Sequence, residues 1–161
     1  MLELLEGLEG SGLGRIARES LYGFQVLVGI HIIGLIFSVG ILLWVDLRML
    51  GICLTGQKLS DVYRALSKWF LAGFAVMVLS GATLFTGFAT SAYGNVYFRI
   101  KMLVMLFAAG NAIVFHVLLK RMPAHVDAGA PSTAVRSAGL LSIVFWAVVI
   151  LCGRMMSYTL F

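Results

Sequence analysis

The chain has 161 residues, of which 61% are hydrophobic and 12% charged, with a mean hydropathy of +1.01. Soluble domains carry about 25% charged residues, so half that density excludes an ordinary water-facing surface and makes the bilayer the solvent. The formal charge of +5 would suit nucleic acid in a soluble chain. Here the basic residues stand at the ends of apolar runs, as topology signals and headgroup contacts do, and no nucleic-acid motif accompanies them.

Residues 1–20 mix apolar and charged positions. Leu2, Leu5, Leu8 and Ile16 can share one helical face, with Glu6, Glu9 and Arg18 among the polar positions, while Gly10, Gly12 and Gly14 weaken a continuous helix. The pattern predicts a short interfacial amphipathic segment. It lacks a basic stretch followed by an apolar run, so the first span is expected to act as its own insertion signal.

The first apolar span covers about residues 21–45 and ends at Asp46-Leu47-Arg48. Its Gly29, Gly34, Ser38 and Gly40 permit close helix packing, and Trp44 suits an interfacial anchor. A polar connection over about residues 50–67 follows, with a helix start at Ser60-Asp61 that predicts a short surface helix leading into the second span. That span, about residues 69–88, carries no ionisable side chain and is expected to serve packing. Tyr93 and Tyr97 in the next short connection fit an aromatic belt.

The third span, about residues 98–119, opens with Arg99 and Lys101 and runs through Asn111 and His116. At 100° per residue Lys101 and His116 fall within about 60° of one face, and Asn111 points elsewhere, into a neighbouring helix. Residues 122–133 hold both prolines, His125 and Asp127 and read as a loop. The fourth span, about residues 134–158, contains Trp146 and ends near Arg154. The expected fold is all-α: one integral membrane domain over residues 1–161, a four-transmembrane-helix bundle with antiparallel neighbours.

Four spans put both termini on one side. The opposite side carries Arg48, Lys58, Arg64, Lys68, Lys120, Arg121 and Arg136, against Arg15, Arg18, Arg99, Lys101 and Arg154 on the terminal side. The positive-inside rule then places the loops in the cytoplasm and the termini outside. This predicts a multi-pass protein of the bacterial inner membrane with periplasmic termini. Cys53 and Cys152 face opposite leaflets in this arrangement and cannot bridge. Both read as small packing residues.

A titratable side chain in hydrocarbon costs roughly 2.5–3.5 kcal/mol even on lenient insertion scales, which singles out His31 and His116. His31 is the leading metal ligand, because Gly34 and Ser38 at i+3 and i+7 share its face and leave room for a cofactor. Lys101 and Arg154 stand at similar depth and suit the propionates of a haem, or lipid headgroups by snorkelling. His116 is the second candidate ligand. It lies about eighteen residues into its span where His31 lies about ten, a depth offset of roughly 12 Å that argues against both histidines serving one iron. Asp46 and Arg48, two apart, do not face each other and are expected to pair with another helix or the loop. No serine–histidine–acid set, phosphate loop or paired carboxylate is present, which excludes the common hydrolase and nucleotide-binding classes.

The run His31-Ile-Ile-Gly34 opening one span and Phe98-Arg-Ile-Lys101-Met-Leu-Val opening a later one resemble the small bacterial four-helix membrane proteins related to CopD and HemJ. The run Asp46-Leu-Arg-Met-Leu-Gly51 resembles an uncharacterised branch near them. The resemblance implies a helix bundle with a b-type haem or a copper-related role, with His31 and Lys101 at the matching positions. The chain departs from it at Arg48–Gly51, where HemJ-like sequences carry another histidine, and this weakens an oxidase reading more than cofactor binding.

Three readings follow. The first is a haem b-binding protein with a role in electron transfer, an oxidoreductase or electron-transfer subunit using a quinone or another redox partner. The second is a non-catalytic subunit stabilising a larger membrane complex or a homo-oligomer. The third is a copper-handling protein of the CopD type, which would use soft methionine or histidine ligands.

Overall fold

The computed structural model describes residues 2–20, 22–121 and 129–160, all of them helical or in short connections. Two short helices, α1 (Leu2–Glu9) and α2 (Gly12–Glu19), precede the long helix α3 (Gly23–Leu50). Then come α4 (Leu59–Gly87), the short α5 (Ala89–Gly94), α6 (Val96–Arg121) and α7 (Thr133–Leu160). The four long helices are each long and apolar enough to cross a membrane. The chain is thus a multi-pass, all-α membrane protein, as hydropathy predicts.

The helices exceed the predicted spans at their polar ends. Nothing between Asp61 and Trp69 breaks a helix, so the expected surface helix and second span form one rod. Its first turns, with Asp61, Arg64 and Lys68, are the part that hydropathy leaves out. Asn95 caps α6 by accepting hydrogen bonds from the Tyr97 and Phe98 amides (2.9 and 3.4 Å), which starts the third span two residues early. The Asn95 side chain also donates to Thr159 Oγ1 at 2.7 Å, tying that cap to the end of α7. Gly51, at φ +77°, ends α3 in the left-handed conformation that glycine adopts without strain.

The amino-terminal segment is two helices rather than one. The break at Gly10-Ser11 lets Ser11 cap α2, its hydroxyl accepting from the Gly14 amide at 3.1 Å, and it separates Ile16 from the leucines expected to share its face. The α2 helix packs Gly14 and Ala17 against the end of α4, where a methyl group on Gly14 would stand 2.9 Å from the Thr86 carbonyl oxygen. Glu9 accepts a hydrogen bond from the Thr90 amide at 2.8 Å and pairs with Arg18 at 3.4 Å. Leu2, Leu4, Leu13 and Ile16 remain outward-facing beside these charges, which suits the membrane interface.

Two apolar layers hold the bundle. Near the loop end, Val45 and Met49 of α3 meet Leu59 of α4, Phe115 of α6, and Val135 and Ala138 of α7. Nearer the middle, Met77, Ala108, Trp146 and Val149 meet Leu35, Val39 and Phe74. Asn111 donates to the Ala138 carbonyl at 2.9 Å, so its predicted orientation into a neighbouring helix is observed. Asp46 and Arg48 also divide as predicted. Asp46, 3% exposed, faces the Ser142 hydroxyl of α7, and Arg48 Nε donates to the Gln57 carbonyl of the loop at 2.9 Å.

The α3 helix is not uniform. Residues Ile36–Gly40 form a π-helical turn. It lies where α3 presses on α4, with Ser38 fully buried and donating to the Leu35 carbonyl at 3.2 Å. A methyl group on Gly73 of α4 would stand 2.6 Å from the Phe37 carbonyl carbon, and one on Gly34 of α3 only 2.7 Å from the Met77 amide nitrogen. Two glycines on facing helices thus bring the backbones into direct contact.

Candidate functional site

All four spans contribute to one polar cluster toward the terminal end of the bundle. His31 comes from α3, Ser80 and Gly81 from α4, Lys101 from α6, and Cys152 and Gly153 from α7. His31 Nδ1 lies 3.1 Å from Ser80 Oγ. Ser80 Oγ lies 2.6 Å from the Val76 carbonyl oxygen and 3.2 Å from that of Met77. A hydroxyl has one hydrogen, and both carbonyls can only accept. Ser80 therefore spends its proton on its own helix and can only accept from His31. In the neutral ring this assigns the hydrogen to Nδ1 and leaves a lone pair on Nε2.

The rest of the cluster surrounds that ring. The Met77 carbonyl faces the imidazole, and a methyl group on Gly81 would stand 3.1 Å from Cε1, so glycine there lets the ring lie against α4. Lys101 lies within electrostatic reach of both the His31 ring and the Cys152 thiol. Lys101 Nζ stands 3.8 Å from where a side chain on Gly153 would begin, in ordinary contact across the α6–α7 seam.

The predicted site residues divide. His31 and Lys101 are brought together. His116 is not with them. It stands exposed on α6 beside Tyr63, with ring centroids 6.2 Å apart. The face of α6 that meets the bundle is set by Lys101, Ala108 and Phe115, and the 60° offset from Lys101 suffices to turn His116 outward. His31 stands eight residues into α3 and His116 twenty into α6, so their depths differ by roughly 18 Å, more than the sequence suggests. Arg154 is exposed and held by its own helix, donating to Tyr158 Oη at 2.9 Å with its guanidinium over that ring. His125 lies outside the described residues.

A further correction concerns the surroundings of His31. The room expected beside Gly34 and Ser38 is filled by α4, because those small residues serve helix contact and not a cofactor. Cys152, read as a packing residue, is buried as expected, and its thiol also lies within electrostatic reach of Lys101. Ser80 was also missed. A serine in an apolar span is unremarkable until its register against His31 is known.

A membrane-embedded four-helix bundle with an intramembrane histidine–lysine pair is the class that this fold and site define. The chain matches, over residues 4–159, a family described as a family of unknown function (DUF6644), and it belongs to that family. No curated protein and no solved structure matches it.

Proposed function

We propose that the chain is a haem b-binding membrane protein with a role in electron transfer, and that His31 is its axial ligand. The observation that carries this reading is the Ser80 hydroxyl oxygen 3.1 Å from His31 Nδ1. Metal-ligating histidines characteristically donate the other ring N–H to a second group that orients the ring, and Ser80 stands in that place. Lys101 supplies a positive charge beside the ring for a propionate. Bound haem would supply one-electron chemistry, its potential tuned by ligand and burial. The protein's own groups hold the ring, balance charge and exclude water. His116 and Arg154 fall outside this site, and the earlier-noted resemblance to CopD- and HemJ-related proteins is consistent with the reading.

The test is a reduced-minus-oxidised absorption spectrum of natively purified protein, with a haem count per chain. We expect a b-type α-band that disappears in His31→Ala and persists in His116→Ala. A flat spectrum from folded protein would overturn the reading. The second reading, a subunit of a larger assembly, is favoured by one observation. A shallow groove of about 410 Å³ on the outer face of α4 is lined by Ala65, Lys68, Trp69 and Ala72, with the two alanines leaving room between the larger Lys68 and Trp69 for a further helix. Among the described residues no three His, Cys, Asp or Glu side chains converge, so the copper reading gains no support from geometry.

We place the chain in a bacterial inner membrane with its termini in the periplasm, on the excess of lysine and arginine at the loop end. Lys58 lies exposed in the first loop. A Lys58→Cys variant is expected to resist a membrane-impermeant thiol reagent in intact spheroplasts and to react after permeabilisation. Labelling of intact spheroplasts would invert the topology.

A further inference from the structure

The contact between α3 and α7 near the loop end buries an acid. Asp46 is 3% exposed and stands four residues before the end of α3, roughly 6 Å along the axis from that end. A methyl group on Gly139 of α7 would stand 3.0 Å from the Asp46 carbonyl oxygen and 2.9 Å from Met49 Cβ, so the two helices touch at this level. Among the described residues Asp46 belongs to no ion pair. Its side-chain partner is the Ser142 hydroxyl, a neutral group. The charged groups of this end are directed elsewhere. Arg48, two residues on, donates to the Gln57 carbonyl in the loop. Arg136 is exposed, about 9 Å along α7 from Ser142. Asp61 and Arg64 of α4 are exposed and pair with each other at 3.8 Å, and His116 and Lys120 of α6 are exposed as well. From α4 the Tyr63 ring packs on the layer that holds Val45 and Met49, and from α6 the neutral Asn111 reaches α7.

Ser142 is set up differently from other hydroxyls of the spans. Ser80, Thr83 and Ser157 donate to the carbonyl four residues back on their own helices. For Ser142 that carbonyl belongs to Ala138, which already accepts from Asn111 of α6 at 2.9 Å. Among the described residues Ser142 makes no bond to its own helix, and its hydroxyl is left for Asp46. We propose that Asp46 and Ser142 form a reversible proton-binding site inside the bundle. A carboxylate sealed from water without a cation is strongly disfavoured, so the buried acid has reason to hold a proton. A hydroxyl both donates and accepts. Ser142 can therefore donate to the ionised carboxylate or accept from the protonated acid, and the pair stays bonded in either state. The proton comes from water at the loop end and returns to it, and no other bond changes. Acids inside spans that pair across helices mark proton relays. The site shares no residue with the His31 cluster, so it stands or falls apart from the haem reading.

The experiment uses the full-length protein in lipid nanodiscs, titrated with acid and base and followed by infrared difference spectroscopy in the carboxyl C=O region. We expect a protonated-carboxyl band, at the high frequency of a water-excluded acid, that falls as pH rises and returns when it is lowered. Asp46→Asn is expected to abolish this band, Ser142→Ala to shift its frequency, and Asp61→Asn, at an exposed acid, to leave it unchanged. Carbon-13-labelled aspartate in the unsubstituted protein reads the same event by NMR, so the proposal stays testable if Asp46→Asn does not fold. One of the three aspartates is then expected to take up its proton separately from Asp61. A band that survives in Asp46→Asn, or three aspartates that titrate together, would overturn the proposal. A band constant across the pH range would make Asp46 a fixed structural donor and would also overturn it. Loss of the band on adding sodium at constant pH would assign the site to a metal cation instead.

Discussion

Replacing Gly73 with alanine is expected to destabilise the folded bundle by about 3 kcal/mol, at the upper end of ordinary overpacking costs. The added methyl group would stand 2.6 Å from both the carbonyl carbon and the Cβ of Phe37, and 2.7 Å from the Ser38 amide nitrogen. None of these atoms can move by a change of rotamer. The α3 and α4 helices must separate, and Ser38 and Met77 lose the contact in which the hydroxyl lies 3.6 Å from the thioether sulfur. The control is internal. Gly29 and Gly40 lie on the same α3 helix with nothing within 4 Å of an added methyl group. Alanine at either is expected to be neutral or to stabilise by roughly 0.5–1 kcal/mol through helix propensity. Thermal or denaturant unfolding in micelles, followed by helical circular dichroism, reads all three. A Gly73→Ala protein that melts with the wild type would show that the α3–α4 contact is looser than described.

The second large effect concerns Ser80. Ser80→Ala removes the acceptor on His31 Nδ1 while leaving the ring, its depth and its neighbours in place. If His31 ligates haem, the loss of such an outer partner is expected to weaken cofactor retention by roughly 10–100-fold without unfolding the protein. Ser80→Thr, which keeps the hydroxyl, is expected to restore much of it. Isotope-labelled histidine NMR gives a readout that does not depend on haem. The wild-type ring is expected to carry its proton on Nδ1, and the Ser80→Ala ring to populate both tautomers. Identical histidine spectra in the two proteins would mean that Ser80 does not orient the ring.

How much of this was legible in the sequence depends on the range of the interaction. Four spans and their order follow from hydropathy, because lipid rewards apolar side chains wherever they stand on the helix; the face of the amino-terminal segment does not, since Leu5 is buried and the break at Gly10-Ser11 sets Ile16 apart. Helix ends were less legible. The first turns of α4 are polar yet unbroken, and only the Asn95 cap marks the start of α6. The site was half legible. His31 and Lys101 stand out as titratable groups in apolar runs. Their meeting with Ser80 and Cys152 depends on the rotation of four helices about their axes, which no single helix encodes. The same rotation misled the reading of Gly34 and Ser38. Small residues make space in sequence terms, but here a neighbouring backbone takes it.

The π-helical turn at Ile36–Gly40 gives the first span two independent phases. Widening the hydrogen-bonded ring from i→i+4 to i→i+5 absorbs one residue without lengthening the contact surface. An uninterrupted α-helix would therefore swing the Asp46 end by about 100° relative to His31. With the turn in place, one half of the helix aims His31 at α4 while the other aims Asp46 at α7. The span works as two short rods set by a phase shifter. The intramembrane imidazole and the buried Asp46 carboxyl can each keep their own alignment, and a change that retunes one end need not misalign the other.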